Sequence, residues 1–243
     1  PGAFTAIHAQ MEEVCRQNMA VVEDPALRAK LVPDHPWGCK RPLLSNHYYP
    51  AFNRPNLELV TEPIERITPK GVVTADGTER IVDTLVLATG YETTRFASVI
   101  DFVGRGGISI SEAWRAGAIA YKGVMTTGFP NLFMLYGPNT NSDSLITTIE
   151  FEAEYAVRQI QRLLDEDLAW IDVTPQAMDR YNEKLQQDIA AVEPWQAGCS
   201  DYYRAGSGRI VTQWPGRMSE LRTLLETPDE SDYETAPSRP EAA

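Results

Sequence analysis

The chain has 243 residues, 43% of them hydrophobic, and a net charge of −12. That length can bury a real core in one large domain or two modest ones. The acidic balance excludes a nucleic-acid binder, which needs a basic face to displace counterions. No apolar run approaches the roughly 18 residues of a membrane helix, and nothing at the start has the form of a signal peptide. Cys15, Cys39 and Cys199 are scattered, with no C-x-x-C. Neither a zinc site nor a disulfide framework is expected, and a reducing cytoplasm is the default location. His8, His35 and His47 lack metal-ligand spacing.

Residues 3–22 are predicted helical, because Ile7, Met11, Val14, Cys15 and Val22 oppose Glu12, Glu13, Arg16 and Gln17. Asp24-Pro25 opens a short second helix to Leu31, and residues 33–38 are loop. Strands are expected at 57–60 and 72–74, with Asp76-Gly77 as a hairpin turn and Ile81-Val82 returning. Residues 85–87 read as a buried strand running into Ala88-Thr89-Gly90, where glycine allows a sharp turn and close approach to a ligand. Residues 131–136 read as another apolar strand, ended by Gly137-Pro138.

A strongly amphipathic helix follows, with Ile149, Ala153, Ala156, Val157, Ile160, Leu163 and Leu164 as its apolar face. Its N-cap is expected among Asn141, Ser142 and Asp143. Thr174-Pro175 opens a further helix with Met178, Tyr181, Leu185, Ile189 and Val192 as its stripe. Residues 194–215 are irregular and aromatic, and 218–225 form a last short helix. The prolines and acidic residues of 226–243 predict a disordered tail. There is no internal repeat.

A Lys-Arg dipeptide such as Lys40-Arg41 is by itself an ordinary solvated pair. Its setting is more specific. In order along the chain come Pro36-x-Gly38-Cys39-Lys40-Arg41, Tyr48-Tyr49, Asn53-x-Pro55-Asn56 and Asp83-x-Leu85-Val86-Leu87-Ala88-Thr89-Gly90. Gly128-Phe129-Pro130-Asn131-Leu132-Phe133, Gly137-Pro138-Asn139-Thr140 and Ile149-Glu150 follow. The ordered set resembles the Baeyer–Villiger branch of the class B flavin-dependent monooxygenases, from about the first residue to about Leu225. Pro1 in place of a methionine fits a piece of a longer protein. No G-x-G-x-x-G loop occurs anywhere, nor does the branch's F-x-G-x-x-x-H-x-x-x-W-P fingerprint.

The resemblance implies an α/β chain, the C-terminal part of a two-dinucleotide-binding-domain (Rossmann-like) flavoprotein without its N-terminal nucleotide loops. Residues 1–33 would end a helical insertion, 34–87 would complete the NADPH-binding domain, 88–225 the FAD-binding domain, and 226–243 would be tail. Arg41 matches the arginine that stabilises the anionic flavin peroxide and its adduct with a carbonyl. A permanent cation beside developing negative charge suits that task. Lys40 would hold NADPH phosphates or the loop. Ala88, Thr89 and Gly90 would join the two domains near cofactor.

Gly137, Pro138, Ser144 and Leu145 would belong to the loop and helix start facing the flavin pyrimidine. Tyr203, with Tyr202, Arg204 and Gly208-Arg209, resembles a mobile loop that folds over NADP, although the family often has tryptophan near Asp201 or Tyr202. The implied enzyme uses NADPH, FAD and O2 to turn a ketone into an ester or lactone. N- or S-oxygenation and a non-catalytic binding or scaffold role are the alternatives. A disulfide reductase relative would need a redox cysteine pair, which is lacking.

Overall fold

The computed structural model describes residues 2–97, 99–142, 144–196, 203–227 and 229–238. The chain divides into two compact units, Gly2–Tyr91 and Glu92–Ala243. Among the described residues no helix is long and apolar enough to cross a membrane.

The first unit holds α1 (Gly2–Met19), α2 (Pro25–Leu31), the single turn α3 (Tyr48–Ala51) and a three-stranded antiparallel sheet. Its strands are β1 (Ile64–Thr68), β2 (Gly71–Thr74) and β3 (Glu79–Ile81), in that order. α2 starts as its sequence predicts: Asp24 accepts from the Ala26 amide at 2.8 Å, and Pro25 needs no partner for an absent N–H. The β2–β3 turn is Asp76-Gly77, with Asp76 accepting from the Thr74 hydroxyl at 2.6 Å and the Thr78 amide at 3.1 Å. β1 was not expected, because a bulge between Ile64 and Arg66 breaks the alternation that marks a strand.

Two expected strands are absent. Residues 57–60 and 85–87 are irregular, and Val86 is 79% exposed, with Leu85 and Leu87 exposed beside it. An extended segment becomes a strand only against a hydrogen-bonded neighbour. None of the described residues pairs with 85–87.

The second unit holds α4 (Ile110–Ala113), α5 (Leu145–Asp165), β4 (Leu168–Val173), α6 (Pro175–Ala190), α7 (Met218–Glu226) and β5 (Tyr233–Pro237). Tyr121, Met125, Tyr155, Ile171, Met178, Leu221 and Leu225 form its main core. α6 follows its sequence signals: Thr174 accepts from the Ala177 amide at 3.2 Å, and Met178, Leu185 and Ile189 are buried. The strand expected at 131–136 is not formed. Asn131 and Tyr136 both have left-handed φ, +59° and +57°. Asn131 instead docks on β4 by its side chain, donating to the Ala169 carbonyl at 3.1 Å and accepting from the Ile171 amide at 3.0 Å.

α5 forms where predicted, but its cap is Ser144, whose hydroxyl accepts from the Thr147 amide at 3.4 Å. The cap is not at 141–143, and Asp143 lies outside the described residues. The face turned inward also differs. Thr148, Glu152, Tyr155, Ala156 and Gln159 are buried, whereas Val157 is 62% and Leu164 71% exposed. Tyr155 is fully buried in the core, with Phe151 and Leu163 packed beside it, and α5 packs on β4 and α7.

The tail is ordered from Asp229 to Ser238, against expectation. β5 pairs antiparallel with β4 from Val173↔Tyr233 to Leu168↔Pro237. Proline is tolerated because Pro237 sits at the strand end. Asp232 is buried and charge-paired with Arg180, and it accepts from the Tyr121 hydroxyl. The Tyr233 ring meets Tyr121 edge-on at 5.9 Å, and its hydroxyl bonds that of Tyr155. On the outer side Arg105 donates to Glu234 at 2.6 Å and stacks on Trp170 at 4.5 Å.

Tyr233→Ala is therefore expected to lower stability by about 3–5 kcal/mol, the cost of emptying an aromatic core site. Urea unfolding of the purified chain measures it. A change within about 0.5 kcal/mol, usual for an exposed site, would return residues 229–238 to a disordered tail.

Candidate functional site

In the first unit the 36–41 loop has a fixed base and a free tip. The Trp37 amide donates to Glu12 on α1 at 3.0 Å, and the Trp37 and His8 rings lie 5.3 Å apart. Cys39 is buried and disulfide-bonded, although the scattered cysteines gave no framework to expect it. Beyond this anchor Lys40 and Arg41 are exposed, with no hydrogen-bond or ion-pair partner among the described residues. Some arginines elsewhere find carboxylates, as Arg80 does with Glu58 and Arg105 with Glu234, while Arg54 is, like Arg41, exposed and without an ion pair among the described residues. Ala88, Thr89 and Gly90 are also exposed, and Gly90 turns at φ +93°.

In the second unit, residues 136–141 form a loop strapped on two sides. Gly137 and Pro138 are buried. A Cβ on Gly137 would lie 2.0 Å from the Gly123 carbonyl oxygen, and one on Gly123 would lie 1.9 Å from Thr140 Cγ2. Asn139, at φ +61°, donates its amide to Val211 at 2.9 Å and its side chain to the Ile210 and Gln213 carbonyls at 3.0 and 3.1 Å. The Asn141 amide donates to Thr212 at 2.9 Å, and the Tyr136 hydroxyl donates to Asn141 Oδ1 at 2.7 Å.

On the other side the Tyr136 amide donates to Glu152 of α5. Burial pushes the Glu152 carboxyl up to about 7, against the opposing pull of the Tyr136 amide and the Thr140 hydroxyl. The loop leads into Ser144, the cap, and Leu145, the first residue of α5, 46% exposed. The open amides of that first turn carry partial positive charge.

Gly137, Pro138, Ser144 and Leu145 thus share one short stretch of the second unit, while Lys40, Arg41, Ala88, Thr89 and Gly90 belong to the first. Tyr203 sits in the core of the second unit. Its side chain is buried among Leu185, Ile189 and Ile210, and its carbonyl accepts from Val211 at 3.0 Å. A ring beside two aliphatic residues of α6 gains more from burial than from a surface contact. Around it Arg204 donates to the Trp195 and Gly208 carbonyls at 2.6 Å, and Arg209 to Asn182 at 2.6 Å. Asp201 and Tyr202 lie outside the described residues. Glu152 and Gly123 escaped sequence reading. A glutamate within a helix looks solvated, and a lone glycine gives no sign of what approaches it.

No family model matches the chain. A Baeyer–Villiger monooxygenase of Streptomyces coelicolor is 36% identical to it over 229 residues, 92% of this chain and 44% of the relative. A Baeyer–Villiger monooxygenase of Pseudomonas aeruginosa is 37% identical over 215 residues, 87% of this chain and 41% of the relative. The crystal structure of cyclohexanone monooxygenase from Rhodococcus sp. Phi1 bound to NADP+ superposes with a TM-score of 0.84 at 30% identity. It covers 96% of this chain and 46% of that one.

The chain belongs to the Baeyer–Villiger-type flavin monooxygenases. It spans about half the length of the relatives it matches, and its mixed α/β architecture is that of part of these two-domain, Rossmann-type enzymes. A phenazine N-monooxygenase of Lysobacter antibioticus is also similar, 34% identical over 224 residues, 88% of this chain and 40% of the relative. The close backbone contact between Gly123 and Gly137, ahead of α5, is open to a direct test.

Gly137→Ala is expected to cost about 1–3 kcal/mol, because the new methyl must displace backbone. Gly206→Ala, where an added Cβ meets nothing within 4 Å, serves as the control and is expected to be close to neutral. Thermal melts of the two variants compare them, and equal midpoints would show that Gly123 and Gly137 are not in contact.

Proposed function

We propose that this chain supplies the oxygen-transfer half of an NADPH- and FAD-dependent monooxygenase that converts a ketone and O2 to an ester or lactone. The flavin, once reduced by NADPH, supplies the oxygen-activating chemistry. The residues present suit such a group. The 136–141 loop is a cradle too tight for side chains. Asn139 Oδ1 and Thr148 Oγ1 are buried there without partners. The start of α5 offers free amides to negative charge. Gly137, Pro138, Ser144 and Leu145 would hold the flavin, and Ala88, Thr89 and Gly90 would pass near it. Lys40 is free to meet a nucleotide phosphate.

The observation that carries the reading is Arg41, an uncompensated guanidinium on a loop whose base is tied to α1. A ketone carbonyl attacked by a nucleophile places a full negative charge on its oxygen. A guanidinium can donate two hydrogen bonds to that oxygen, and a charged group left unpaired in the resting fold is free to do so. Two apolar surfaces fit the same picture. Val157, Ile160 and Leu164 on α5, and Leu85 to Leu87 in the other unit, are exposed. Each is a face of the kind that further chain covers.

The second reading, N-oxygenation, is favoured by the phenazine N-monooxygenase relative. An amine nitrogen that gains oxygen develops no carbonyl oxyanion and has no need of Arg41.

Two measurements follow. The chain carries no glycine-rich pyrophosphate loop, so the purified protein mixed with FAD is expected to show no stoichiometric flavin in its visible spectrum after gel filtration. A tightly held yellow chromophore would contradict this. Joined to the part of the Streptomyces relative that it does not span, the chain is expected to make ester from cyclic ketones. Arg41→Ala there should lower ester formation about 100- to 1000-fold, with NADPH still consumed and hydrogen peroxide released. Undiminished ester would remove Arg41 from the mechanism, and undiminished N-oxidation of an amine with no ester activity would establish the second reading.

A further inference from the structure

Glu152 stands apart from the other acidic residues. It is fully buried on α5, with one carboxylate oxygen accepting from the Tyr136 amide. The other oxygen, Oε1, has no hydrogen-bond partner. Burial, the Tyr136 amide and the Thr140 hydroxyl are the influences upon it. The titratable neighbours are tyrosines that are already engaged: Tyr136 through its hydroxyl to Asn141, and Tyr155, one turn along α5, to Tyr233 and Met125. Among the described residues no cation or carboxylate acts on it.

The Thr140 hydroxyl lies between two acceptors. It donates to the Gly137 carbonyl at 2.8 Å and also bears on the Glu152 carboxyl. Its methyl group occupies the place where a Cβ on Gly123 would stand.

We propose that Glu152 is a positioning residue for the 136–141 loop, and that its proton decides whether Thr140 holds Gly137 or lets it go. With the carboxyl neutral, the Oε1–H donates to Thr140 and Thr140 donates to Gly137, so every group in the row is satisfied. With the proton lost to solvent, Oε1 becomes the stronger acceptor and draws the Thr140 hydrogen. The buried Gly137 carbonyl then loses its side-chain donor. The consequence for a flavin rests on the function proposed above, because Gly137 and Pro138 are the residues assigned to face it; the relay itself stands without flavin.

The sign follows from the raised carboxyl. An ordinary glutamate, at 4.5 in the unfolded chain, gives up its proton before the buried one does near 7. Between those values the folded chain holds a proton the unfolded chain has lost, so stability falls as pH rises. Asp172, pushed up to about 6 chiefly by burial, adds its own share, so variants must separate the two.

The purified chain is titrated from pH 4 to 9 by infrared difference spectroscopy, following the protonated carboxyl band, with melting midpoints recorded alongside. The expected result is a band lost near pH 7 that is missing in Glu152→Gln, whose midpoint also falls less between pH 4.5 and 7. Thr140→Val should move the titration up by about one unit, since the ionised form loses a donor, and Thr140→Ser should restore it. A carboxyl titrating near 4.5, or a midpoint indifferent to Thr140→Val, overturns the relay. Should Glu152→Gln fail to fold, the two Thr140 variants still decide. None of these readings involves flavin, so a failed relay and a failed flavin assignment are told apart.

Discussion

Between Gly123 and Gly137 there is no room for a carbon atom. The carbonyl of one stands where the side chain of the other would begin, and that contact fixes the path of everything from Tyr136 to the start of α5. Because the backbones touch, Asn139 comes into reach of the 210–213 segment and Thr140 comes to lie beneath the Glu152 carboxyl. Because Asn139 has a left-handed φ, the chain reverses in time for Ser144 to cap the helix. A loop held this way moves as a unit or not at all. That is the property a bound planar ligand asks of its support.

What the sequence made legible were features carried by neighbours in the chain. Asp24-Pro25 and Thr174-Pro175 announce helix starts because capping is a matter of two or three adjacent residues. Asp76-Gly77 announces a turn for the same reason. The stripe of α6 was readable because its apolar residues are also its buried ones. On α5 the two sets part company, since Val157, Ile160 and Leu164 face outward while Tyr155 and Ala156 are buried and Phe151 and Leu163 pack on the core. Periodicity gives a helix but cannot say which side has a neighbour.

The site divides along similar lines. The motif order located Arg41, the Ala88-Thr89-Gly90 turn and the Gly137–Leu145 stretch, and Arg41 does stand exposed and unpaired. The burial of Tyr203 was not legible, because a surface loop and a core insertion share the same aromatic composition. Glu152 was invisible, since its meaning depends on Tyr136 and Thr140 arriving from outside its own helix. The strand expected at 85–87 failed on the same principle: an apolar run records a preference for burial, and the partner that would bury it is not among the described residues.

β5 has a bearing on how the second unit comes into being. Its Tyr233 and the neighbouring Asp232 complete a core begun at Tyr121, a separation of 111 residues. Among the described residues β4 pairs with no other strand. While the chain is still being synthesised, that core is open on one side. Contacts so distant in sequence form late, and here they cannot form until residues 232–237 have cleared the ribosome. Until then the apolar faces of β4 and α6 that this strand covers are open to unwanted contacts.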